Sequence, residues 1–133
     1  MIVVKKSDGS RFKVPLSAPD QVSRVKVDCE FVGGDGITPV GAHDLIVVAN
    51  ATRVAKTNAA FALATDDGWT PAKVYDVLPL GDDHPTTAVV RDGTIFVVST
   101  RLDALLQAAA SSGVQADDLR AEATIRPIGS VVQ

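Results

Sequence analysis

Apolar and polar residues alternate in short runs along most of this chain, and the runs are rich in Val, Ile and Thr. Successive side chains on a strand point to opposite faces, so this pattern predicts half-buried β-strands. The stretches that carry it are 2–6, 11–16, 22–32, 37–40, 45–49, 59–64, 72–78, 87–91, 94–100 and 121–127. Between them fall the pairs Asp8-Gly9, Asp67-Gly68 and Asp92-Gly93. Asp-Gly tolerates the positive φ that matches hairpin twist, so tight turns are expected there, above all at the first and last pair. In the run from Val25 to Phe31, Cys29 is in phase with the inward-facing residues and is expected to be a buried small hydrophobe. Residues 101–112 break the pattern, with Leu102, Leu105, Leu106 and Ala109 at helical spacing and Gly113 as a stop. One short C-terminal helix, lying on a sheet, is expected.

The strand pattern recurs. Residues 37–50 align without a gap on residues 87–100, so that Val40 falls on Val90, Leu45 on Ile95 and Val47-Val48 on Val97-Val98. About four strands per ~50 residues is the signature of propeller blades. The expected fold is all-β, a partial β-propeller of two to three blades in a single domain. Residues 1–34 are read as outer strands of a first blade, 35–84 as a complete blade and 85–133 as a final blade plus the helix.

Composition narrows the function classes. A chain of 133 residues with 46% hydrophobic and 22% charged residues suits one soluble domain. The net charge of −3 and the scattered basic residues disfavour nucleic acid, and the few aromatics make no base-stacking platform. One cysteine leaves no pair for a disulfide and no Cys cluster for a metal. No apolar run approaches the ~18 residues of a membrane span, and no signal-peptide pattern is visible, so a cytoplasmic location and no membrane partner are expected. The serines lack a nucleophile elbow.

Gly34-Asp35-Gly36-Ile37 followed by Leu45-Ile46-Val47-Val48-Ala49-Asn50, and then Pro85-Thr86-Thr87, Asp92-Gly93 and Ile95 to Arg101, form an ordered set. Over about residues 24–102 this set resembles the regucalcin/gluconolactonase-like family of six-bladed β-propellers, specifically its C-terminal half. The resemblance implies a channel site in which a Glu, two Asn and the Asp of the Asp-Gly motif hold one divalent cation. Only the last of these has a counterpart here, at Asp35. A chain of this length holds only part of such a ring, which leaves three ways to cover its sheets: a homo-oligomer closes one ring, another propeller half completes it, or the chain has refolded into a smaller barrel. Pairing of two copies is the simplest of these.

The candidate residues follow. Asp35 offers a hard oxygen to Ca²⁺, Mg²⁺, Mn²⁺ or Zn²⁺, or else caps the amides of a tight turn. Asn50, at the end of a strand facing the inferred channel, either adds a second oxygen or merely ends the strand. Asp82, Asp83 and His84, with Thr86, are candidates for substrate binding, although Gly, Asp and Pro between strands are also what turns are made of. His43 reads as a solvated hairpin tip, and Trp69 as packing at a blade edge. The expected function is a non-catalytic binding or structural module that oligomerises. The alternative is a metal-dependent lactone or ester hydrolase with a channel site shared between chains.

Overall fold

The structure, a computed structural model, describes residues 1–52, 55–81, 84–100, 102–111 and 123–130. Three short strands open the chain: β1 (Ile2–Val4), β2 (Arg11–Lys13) and β3 (Ser23–Val27). An antiparallel meander follows, β4 (Gly34–Pro39), β5 (Asp44–Ala49), β6 (Ala59–Ala64) and β7 (Pro71–Pro79). Then come β8 (Pro85–Arg91), β9 (Thr94–Ser99), helix α1 (Leu102–Ala109) and β10 (Thr124–Ser130). The described chain is mostly β, with one short helix, as the alternation predicts.

The first seven strands form one mixed sheet in the order β1-β2-β3-β7-β6-β5-β4, with a single parallel pairing between β3 and β7. That sheet curls until it nearly closes. Gly33 N donates to Lys6 O at 3.0 Å, and a Cβ on Gly34 would lie 2.7 Å from a methyl of Val4. The last three strands make a second sheet with β9 in the middle.

β5 is buried on both sides, and its period-two pattern serves two cores. Leu45, Val47 and Ala49 join Phe31, Phe61 and Leu63 on the side of the first strands. Ile46 and Val48 join Ala60, Leu80, Ala88 and Val97 against the second sheet. The meander is therefore a middle layer. Burying each of these Val, Ile, Leu and Phe side chains contributes about 1.5–3 kcal/mol relative to exposure. Phe31 stacks on Phe61 with centroids 3.7 Å apart, and the Arg11 guanidinium lies 3.9 Å over the Phe31 ring. Trp69 packs at the margin of this first core, as expected.

Three expectations change. Cys29 is exposed, because β3 ends at Val27 rather than running to Val32. Past that point the Asp28 carboxylate accepts the Val74 N–H at 2.9 Å, so a side chain takes the place of the next ladder bond and the alternation no longer sets the face. The turn at Asp8-Gly9 is wider than a two-residue hairpin: Lys5 and Ser10 close it through backbone bonds, and Asp8 binds Lys5 Nζ and Ser10 N. Helix α1 forms, but Leu106, which the helical spacing placed on its apolar side, is 61% exposed. Residues 101 and 112–113, part of the expected helix and its stop, lie outside the described residues.

Candidate functional site

Two β-bulges shape the site. In the first hairpin Gly34 pairs with Ala49 and Gly36 with Val48, which leaves Asp35 as the extra residue. In the second, Pro85 pairs with Ser99 and Thr87 with Val98, which leaves Thr86 extra. A bulge turns its extra side chain out of the pleat, so both are re-aimed at equivalent places in the two copies. The repeat is therefore real in three dimensions but not gapless. Pro39 pairs with Leu45 while Val90 pairs with Ile95, so the first hairpin holds one more residue between paired positions.

Asp35 and Asn50 meet. Asp35 Oδ2 accepts from Asn50 Nδ2 at 2.8 Å, and Asp35 Oδ1 lies 3.5 Å from Lys6 Nζ. Asn50, just past β5, is completely buried. Its amide nitrogen also donates to Pro85 O at 3.2 Å, and its backbone N–H donates to Gly33 O at 3.0 Å. One side chain thus ties the bulge of β4 to the start of β8. The same two strands are joined by Thr38 Oγ1 donating to Ala88 O at 2.6 Å. They approach so closely at Gly36 that a Cβ there would sit 2.6 Å from Thr86 O and Thr87 Cα.

The interior of this junction is polar. Among the described residues Asn50 Oδ1, Ser99 Oγ and Thr100 Oγ1 are buried without a hydrogen-bond partner. Asn50 follows Ile46 and Val48 in phase, and Ser99 follows Ile95 and Val97, so the two lie on facing sides of the two sheets. An unpaired buried polar group costs about 1–3 kcal/mol, so this end of the interface has capacity for a further hydrogen-bonding or coordinating group.

The other sequence candidates divide. Thr86 spends its hydroxyl on Val98 O at 3.2 Å, within its own hairpin. His84 is half-buried in the left-handed region with φ 48°, and its carbonyl accepts from Thr100 N at 3.4 Å, at the same end as Asn50. Asp82 and Asp83 lie outside the described residues. His43 is exposed in the β4–β5 loop, at the opposite end. Lys6, Ser99 and Thr100 were not singled out by the sequence. Thr100 had a signal, since it aligns with Asn50 in the repeat.

Among the described residues no three His, Cys, Asp or Glu side chains gather as for a metal ion. Asp35 and Asn50 offer hard oxygens suited to Ca²⁺ or Mg²⁺, but such ions take about six to eight ligands, and this pair supplies too few. The chain matches no protein-family model, no curated protein and no solved structure. Geometry alone carries the functional reading.

Proposed function

We propose that this chain is a non-catalytic binding or structural module of partial propeller blades, similar to the gluconolactonase-like propellers, which pairs with a second copy to complete its ring. The outer face of the second sheet carries this reading. In register, Val89, Phe96 and Pro127 form one cross-strand row, and Thr87, Val98 and Ile125 the next. Alternation points these away from the buried Ala88 and Val97, and Val89 is 50% and Ile125 69% exposed. A contiguous apolar face of this kind marks an interaction surface.

The inner face of the same sheet is covered by a meander of similar build, through Ile46, Val48 and Ala60. The repeat makes a second copy the occupant of matching chemistry, because repeat units bury their faces against like neighbours and two-fold dimers are the commonest assemblies. Asp35 fits a structural role in this reading. Its two oxygens already face Asn50 and Lys6, and the pair fastens one sheet to the next.

The orphaned Asn50 Oδ1 favours a second reading, a metal-dependent lactone or ester hydrolase whose channel site is shared between chains. Asp35 and Asn50 would supply two oxygens to Ca²⁺, Mg²⁺, Mn²⁺ or Zn²⁺, and the partner chain the rest. A bound cation would polarise a carbonyl and acidify water. Thermal melts with each cation, followed by lactone and ester assays with and without chelator, separate the two. The module reading expects no saturable rise in Tm and no turnover. A saturable rise together with turnover that Asp35→Ala abolishes would replace it with the hydrolase.

A further inference from the structure

The two sheets meet along only part of their length. Val48, Ala60 and Leu80 close on Ala88 and Val97. Toward the other end of the meander the same face carries Ile46 beside Ala62, then Asp44 beside Ala64. Across β7 these continue to Asp76 and Lys73. Alanine side chains cannot fill the space there, and a cleft of about 1000 Å³ opens, bounded on the far side by Ile95 and Ser130. That volume is at the upper end of the ~300–1000 Å³ typical of small-molecule sites.

The lining is divided by chemistry. Ala62, Ala64 and Ala72 give an apolar floor, while Asp44, Asp66, Asp67 and Asp76 stand against Lys73, the one basic group on the lining among the described residues. Asp67 is held by Thr65 and Thr70, and Asp76 accepts the Val77 N–H through Oδ1. Tyr75 stands on the same lining and is 60% exposed.

We propose that this cleft binds a small organic cation, an ammonium group carried on a flat apolar body. The body rests on the alanine floor and the charge lies among Asp44, Asp76 and the face of Tyr75. A cation gains from both the carboxylate rim and the aromatic face. An organic anion would meet four carboxylates, and a neutral ligand would gain only the floor. The site lies within one protomer and does not depend on ring closure or on the Asp35–Asn50 pair. The Tyr75 hydroxyl reports on the local field: burial, then the charges of Asp44 and Asp76, push its pKa above the ordinary tyrosine value.

Tyr75 is the sole tyrosine of the chain, so the near-ultraviolet phenolate band follows it alone. Titrations are run with benzyltrimethylammonium, whose charge is fixed at every pH, and with benzyl alcohol and benzenesulfonate. The expected result is a saturable shift of the Tyr75 titration to lower pH with the quaternary cation only. Asp44→Asn with Asp76→Asn is expected to weaken binding by about tenfold or more, and Ala62→Leu to fill the cleft and block it. Where a variant fails to fold, the single change Asp44→Asn at the rim decides by the same readout. No saturable shift, or equal affinity for the three probes, or full affinity in folded Asp44→Asn, overturns the proposal.

Discussion

Asn50 and Arg11 are the two buried polar side chains on which most depends. Asn50 is fully buried with two donated bonds, so Asn50→Ala is expected to lower unfolding free energy by about 1–3 kcal/mol in urea titrations. Asp35 is one-third exposed, so Asp35→Ala is expected to cost less, about 1 kcal/mol or under. The reverse order would mean that the carboxylate, not the amide, fastens the sheets. Arg11 is 3% exposed, stacked on Phe31 and bonded to its carbonyl, while its partner Glu30 is largely exposed. Burial lowers the Arg11 pKa and the Glu30 charge opposes that. Arg11→Ala is therefore expected to cost about 3 kcal/mol and Glu30→Gln under about 1 kcal/mol, because packing rather than the ion pair dominates. Lys5, with the Ser10 N–H, holds the Asp8 carboxyl well below the usual range. A depressed carboxyl gives stability above its unfolded pKa, about 4, that is lost as pH falls toward the folded value. Asp8→Asn should flatten the acid limb of a stability-against-pH curve, and an unchanged limb would contradict that linkage.

At the scale of elements, the alternation located every strand of the meander, and Asp92-Gly93 forms the expected two-residue turn, with both residues at positive φ and Arg91 paired with Thr94. Those features are local, set by side-chain period and by φ preference. What the sequence hid depends on contacts between distant segments. The Asp28 bond to Val74 N cuts β3 short and exposes Cys29, and no period within the strand encodes a bond across 46 positions. The bulges that re-aim Asp35 and Thr86 are set by pairing register, and the gapless repeat, extended at the same offset, would place Asp35 on Pro85 rather than on Thr86. The close approach of β4 to β8 gives a direct test. A Cβ at Gly36 meets backbone at 2.6 Å, whereas one at Gly81 meets nothing within 4 Å and has only its positive φ to oppose it. Gly36→Ala is expected to cost about 2–4 kcal/mol by forcing strands apart, and Gly81→Ala about 1 kcal/mol. Equal losses would mean that the two strands move apart freely.

For the whole molecule, the sequence showed a repeated β unit and a candidate carboxylate, and the structure adds how the sheets are layered. β5, within the meander, is buried on both faces, whereas Val89 and Ile125 on the outer face of the second sheet are exposed. The proposal that a second copy completes the ring rests on that exposed face. Charges placed on the open face, as in Val89→Lys with Ile125→Lys, should block association while leaving the fold intact, because both side chains are already exposed. The most direct measurement is the absolute mass in solution, by light scattering on a sizing column across a dilution series. The account predicts a dimer or higher even assembly that the paired lysine changes convert to monomer. A monomer of 13.9 kDa at every concentration would contradict it and make this chain a self-sufficient small β domain.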